Sequence, residues 1–167
     1  MPTNTRLQSA LERIQFARQY TNRFLPGLTD AEWFWHPPGF ITHVAWQVGH
    51  LAVAQYNLCL RRSRAAADET LIPESFVNLF KLGSVPVADA AAYPPRAEIE
   101  RVFDAVHRQV VTELAQRTDE ELDVPVHEPH PVFKTKLEAI EYAHQHELIH
   151  AGQLAMLRRL MGKPALR

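Results

Sequence analysis

His146 and His150, one helical turn apart in the string His-Glu-Leu-Ile-His, are the residues of this chain best suited to chemistry. Side chains four residues apart on a helix are neighbours, with Cβ atoms about 5–6 Å apart. Two imidazoles at that separation can share one divalent metal at about 2.0–2.1 Å per bond. Helical steps from His146 pass Ala143, His150, Gln153 and Leu157, so the pair is expected to face an apolar interior. The plainer alternative is two core histidines held by hydrogen bonds. Glu147, beside a ligand on the same helix, is a candidate general base, as in the zinc proteases whose His-Glu-x-x-His pattern it matches. The protease reading itself fails on ligands. Residues 151–167 contain no Asp, Glu, His or Cys, and Gln153 and Met156 stand where the extended pattern needs Gly and His. A third ligand has to come from upstream.

The candidate is His50. His43, Trp46, His50, Val53 and Asn57 fall on one helical stripe, and Gly49 permits close approach of another helix. His43 lies seven residues before His50, about 10.5 Å along a helix axis, which is too far to share the same ion. It sits near the helix start and is expected to be half exposed. His43, Trp46, Asn57 and Gln153 are the candidate pocket-lining residues. Three neutral imidazoles leave at least one position open on a tetrahedral metal, which marks a catalytic rather than a closed structural site. A water in that position has its pKa lowered to about 7, giving metal-bound hydroxide at neutral pH. A thiol there is deprotonated outright. The other histidines, His36, His107, His127, His130 and His144, lie in proline-rich loops or off the apolar stripes and read as surface residues. Cys59, nine residues past His50, is rotated about 180° from it and is no candidate nucleophile.

Proline marks the elements that must position these residues. The 12 prolines leave four long free spans, 3–25, 39–72, 96–124 and 132–163. Proline is excluded from helix interiors because it lacks an N–H and clashes with the preceding turn. Apolar residues recur at helical spacing in each span, for example Ile99, Val102, Phe103, Val106, Val110 and Leu114 in the third. No span alternates with period two, so the class is all-α with four long helices. Pro95 suits a first helical position. Thr135 to Glu138 fits a capping box, and Thr29 to Glu32 and Thr118 to Glu121 should open short turns of helix. The connection from about Arg64 to Pro94 is long for a compact domain, and a long crossover lets the second and third helices run parallel. Within it, residues 73–81 form either a short helix or an irregular loop pinned by Phe76 and Phe80.

Composition narrows the setting. The 167 residues read as a single domain, 1–167, with 46% hydrophobic and 22% charged residues. A net charge of -1 gives no reason to expect nucleic acid or an anionic membrane as partner. No apolar run is long enough to span a membrane, and the N-terminus lacks a signal-peptide core. A single cysteine excludes an internal disulfide and suits a reducing cytoplasm.

Trp46-Gln47-Val48-Gly49-His50-Leu51, with His146-x-x-x-His150-x-Gly152-Gln153-Leu154 and Arg158 to Pro164, resembles the DinB/YfiT-like family of metal-dependent enzymes. The layout matches from about residue 5 to 164. The resemblance implies a four-helix bundle of up-down-down-up topology with a long crossover between helices 2 and 3. It implies a divalent metal, zinc or nickel, held by His50, His146 and His150, and a homodimer. Glu147 is not a fixed feature of the family. The first functional expectation is a transferase, or a related lyase or isomerase, acting on a small-molecule substrate with a low-molecular-weight thiol. The alternatives are a metal-dependent hydrolase using metal-bound hydroxide and a non-enzymatic metal or ligand-binding stress protein.

Overall fold

The computed structural model describes residues 5–64, 67–126 and 130–165. Among them the chain forms seven α-helices in the order α1 (Arg6–Asn22), α2 (Asp30–Trp33), α3 (Val44–Gln55), α4 (Glu74–Phe80), α5 (Arg96–Leu114), α6 (Asp119–Leu122) and α7 (Lys136–Leu160). No strand occurs among the described residues; Pro125 and Thr135 form one isolated bridge. No described helix is long and apolar enough to cross a membrane.

Local chemistry sets the helix starts. Thr29, Thr118 and Thr135 each accept from the backbone N–H three residues on, while Glu32, Glu121 and Glu138 reach back to the cap. Thr5 caps α1 by accepting from Gln8. Pro95 is the residue just before α5 rather than its first turn. The second proline-free span departs from the expected regular helix. After Gln55 the chain widens into a π-helical segment, Tyr56–Arg61, before leaving the core.

The long helices share one apolar interior. α1 packs along α7 and touches α5, while α3 packs against α5 and α7, and the π segment continues the contact with both. Ile14, Val48, Leu51, Val106, Val110 and Leu154 are among the buried residues these helices contribute. The connection between Arg64 and Pro94 carries α4, so the helical alternative for residues 73–81 holds. Its Phe76 and Phe80 are buried, their rings 4.6 Å apart, and α4 lies on α3.

Candidate metal centre

The site begins at Gly49. A β-carbon there would lie 2.6 Å from Phe80 Cε1 and Cγ, so only glycine lets the Phe80 ring rest on α3. That close approach brings the Phe80 carbonyl 2.8 Å from His50 Nδ1. A carbonyl only accepts, so Nδ1 carries the proton and Nε2 keeps its lone pair. Trp46, one turn earlier, stacks on the His50 ring at 4.7 Å and an interplanar angle of 10°. Its own indole N–H donates to Ser84 Oγ at 3.0 Å. The His50 imidazole is thereby held in plane, tautomer and direction.

α7 supplies the other two rings. The His146 and His150 centroids are 4.5 Å apart, and His50 lies 5.2 Å from His146 and 4.8 Å from His150. His150 Nδ1 donates to Gln47 Oε1 at 2.5 Å. Gln47 is turned that way because its amide nitrogen donates to Thr42 Oγ1 at 2.8 Å and to Gln153 Oε1 at 2.7 Å. Metal-ligating histidines characteristically donate their second ring N–H to such a partner, which fixes the ligand tautomer.

One ring nitrogen from each histidine falls within 4.8 Å of the others, and these three are the one such group among the described residues. His50 Nε2 and His146 Nε2 are 3.4 Å apart. Two nitrogens about 2.05 Å from one tetrahedral ion stand about 3.3 Å apart, so the donor set fits a divalent metal. Burial lowers all three pKa values, that of His146 to about 4 and that of His150 to about 3; proximity of the other histidines adds to the shift in these two. At neutral pH the rings are therefore uncharged, the form that binds metal. His50 and His150 are buried and His146 is half-buried, so the cluster has one wetter side.

A family model of the DinB superfamily matches residues 13–154, a span that includes all three histidines. The chain belongs to the DinB superfamily. No curated protein matches it.

Around the histidine cluster the other sequence candidates divide. Trp46 and Gln153 lie in it, the first on the His50 ring and the second through Gln47. Asn57 does not. It sits in the π segment, two turns beyond His50, and lines a separate cavity of about 410 Å³ with Tyr56, Arg61 and Lys81. His43, expected to be half exposed, is fully buried. It caps α3, its Nδ1 accepting from Trp46 N at 3.2 Å, and its ring packs against Tyr93 and Phe34 rather than the three clustered histidines. Cys59 is buried, and burial pushes its thiol pKa up.

Glu147 is placed away from the three imidazoles. Its carboxylate accepts from Arg18 Nε at 2.7 Å, with both side chains buried. The base role suggested by its position beside a ligand is corrected by this pairing, because α7 turns Glu147 toward α1 while it turns the histidines toward α3. His107 also departs from the surface reading: its Nδ1 meets Gln55 Nε2 at 3.3 Å, and its pKa is lowered to about 3 by burial and by Arg18. His144 donates from Nδ1 to the Glu141 carbonyl at 2.6 Å, and His130 stacks on Phe133 at 3.8 Å. His36 lies half-buried, 6.1 Å from the His43 ring; His127 falls outside the described residues.

Three contributors escaped the sequence reading. Gln47 carried a usable signal, being one of few polar residues in the apolar helix Val44–Gln55. Tyr142, one turn before His146 with its ring 6.3 Å away, could have been found by the same periodicity. The Phe80 carbonyl is backbone, and no residue type announces it.

Proposed function

We propose that His50, His146 and His150 hold a divalent ion, zinc or nickel, with a position open toward the half-buried side, and that the protein is a metal-dependent transferase using a low-molecular-weight thiol. The observation that carries this reading is the gathering of one ring nitrogen from each of the three histidines within 4.8 Å, with His50 and His150 tethered through Nδ1 by the Phe80 carbonyl and by Gln47. When bound, such an ion acts as a Lewis acid and lowers the pKa of a thiol or water in its open position.

The chain's own residues favour thiol over water chemistry. A water with its pKa lowered to about 7 would be only partly ionised at neutral pH, and a carboxylate is one of the groups that can serve it as base. Glu147 is committed to Arg18, and no carboxylate joins the histidine cluster among the described residues. A thiol, deprotonated outright on such an ion, would be less handicapped than water by the lack of a base. Tyr142, half-buried beside His146, offers an aromatic surface for a small electrophilic substrate. A bundle of the four long helices in up-down-down-up order, in a reducing compartment, completes the proposal.

The test starts with metal content, by mass spectrometry, of protein purified without a metal-affinity tag, beside His50→Ala. About one zinc or nickel per chain, lost in the variant, is expected. Turnover of a chromogenic electrophile is then followed with and without a panel of small thiols. Thiol-dependent turnover is the expected result. Ester or amide hydrolysis without thiol would replace the transferase reading with a hydrolase, and metal without either activity would leave a binder.

A further inference from the structure

Glu147 lacks the role its position first suggested, and its surroundings give it another. Arg18 on α1 spends its whole fork on three other elements. Nε donates to Glu147 Oε1 on α7 at 2.7 Å, Nη1 to the Phe103 carbonyl on α5 at 2.9 Å, and Nη2 to Gln55 Oε1 at the end of α3 at 2.9 Å. Its guanidinium carbon lies 3.4 Å from the centroid of the Phe103 ring. Arginine stays protonated, so this network is not a proton path. Nor does stability account for it, since apolar residues of similar volume often replace a buried ion pair at no loss.

We propose that Arg18 and Glu147 are positioning residues for the metal centre: their ion pair sets the rotation of α7 about its axis and thereby where His146 and His150 deliver Nε2. The inference rests on the metal reading above. At about 100° per residue, His150 lies about 60° and His146 about 100° round the helix from Glu147, both on the same side. α7 is thus held from two adjacent directions, by α1 through Glu147 and by α3 through the histidines.

The stripe that carries Glu147 needs such a key. Stepping by four it reads Ala139, Ala143, Glu147, Ala151, all buried. On α1 the buried neighbours of Arg18 along the chain are Ile14, Ala17 and Thr21. Small side chains let the two helices approach closely but resist rotation weakly. The site is sensitive to rotation, because side-chain tips about 5–6 Å from a helix axis move ~0.2 Å for each ~2° turn. That displacement is about the whole tolerance of a metal–ligand bond length.

The experiment compares wild type, His50→Ala and the double variant Arg18→Met, Glu147→Leu. Zinc affinity is read by competition with a chromophoric chelator, cobalt geometry by the visible d–d spectrum, and folding by circular dichroism and Tm. The double variant is expected to stay helical, with zinc affinity reduced about 10–100-fold and an altered cobalt spectrum. Affinity within twofold of wild type with an unchanged spectrum overturns the proposal. Should the double variant not fold, Glu147→Met, which removes both acceptors at similar volume while Arg18 keeps Phe103 and Gln55, is read the same way: a drop in affinity supports the proposal and an unchanged value overturns it. Wild type that binds no more zinc than His50→Ala overturns the metal reading itself, an outcome distinct from a double variant that binds like wild type.

Discussion

Gly49→Ala sets two physical effects against each other, and the structure decides between them. In a helix interior alanine is favoured over glycine by about 1 kcal/mol, so α3 considered alone would be stabilised. The new methyl, however, would stand 2.6 Å from Phe80 Cε1 and Cγ. Ordinary carbon contacts lie at about 3.5–4.0 Å, so the ring must retreat by roughly 1 Å. It has little room, being fully buried with Phe76 at 4.6 Å and Tyr93 at 5.6 Å. Overpacking of this kind costs about 1–3 kcal/mol, and the rigid neighbours place it at the upper end. The net expectation is about 2 kcal/mol of destabilisation, a fall in Tm of about 4–8 °C for a chain of this size. Moving Phe80 also withdraws its carbonyl from His50 Nδ1, so zinc affinity should fall about 10–100-fold. Thermal melts of the metal-free protein and a chelator competition read the two effects separately. Adding Phe80→Leu to Gly49→Ala should cost less than the two changes summed, because one relieves the other. A Tm that rises by a few degrees with unchanged zinc affinity would refute the reasoning, since it would mean that helix propensity outweighs the contact.

His50→Ala, His146→Ala and His150→Ala should each abolish stoichiometric metal while His107→Ala retains it; full metal in all three ligand variants, measured by mass spectrometry, would sink the assignment. Gln47→Leu strips the acceptor from His150 Nδ1 and leaves a buried donor unpaired, at a cost of about 1–3 kcal/mol to folding together with weakened zinc binding, whereas Gln47→Glu, which keeps an acceptor, should retain affinity. Equal loss in both Gln47 variants, by denaturant unfolding and zinc titration, would count against the tether. Metal-free protein should lose stability as pH falls below about 6.5. Burial lowers the pKa of His43 to about 4 and that of His107 to about 3, so their unfolded forms take up protons first, each contributing at most ~1.4 kcal/mol per pH unit down to its folded pKa. Urea midpoints between pH 7.5 and 5 check this, and His107→Gln should flatten the slope; a flat wild-type profile would contradict the burial of these rings.

The layout of the long helices and the three histidines was legible because each rests on a local rule. Prolines 26, 94, 95 and 125 fall outside the long helices, threonine boxes start three helices, and His146 and His150 share a helix face whatever surrounds them. His50 followed from periodicity on one further helix. What was not legible depends on contacts between distant segments. Glu147 and Arg18 are 129 residues apart, and spacing along α7 alone does not say which neighbour Glu147 will meet. Arg18 did carry a signal, since it falls on the Leu7, Ile14 and Thr21 stripe, but a charged residue on an apolar stripe reads as a break until its partners are known. The π segment after Gln55 had no sequence mark, and it lies where the expected register failed for Asn57.

The crossover has a consequence for how this protein can diverge or be rebuilt. Connections between helices ordinarily tolerate insertions and deletions. Here Phe80 orients His50 through its carbonyl, and Ser84 holds the indole stacked on that ring. The stretch from Phe80 to Ser84 is therefore as much a part of the centre as the helices are, and a length change inside it should be as damaging as loss of a histidine. Beyond it, exposed Val85 and Val87 mark where the freedom to vary resumes. Transplanting the centre onto another bundle would require three separate pieces, residues 42–50, 80–84 and 146–153; copying the histidines alone would move the ligands and leave behind what aims them.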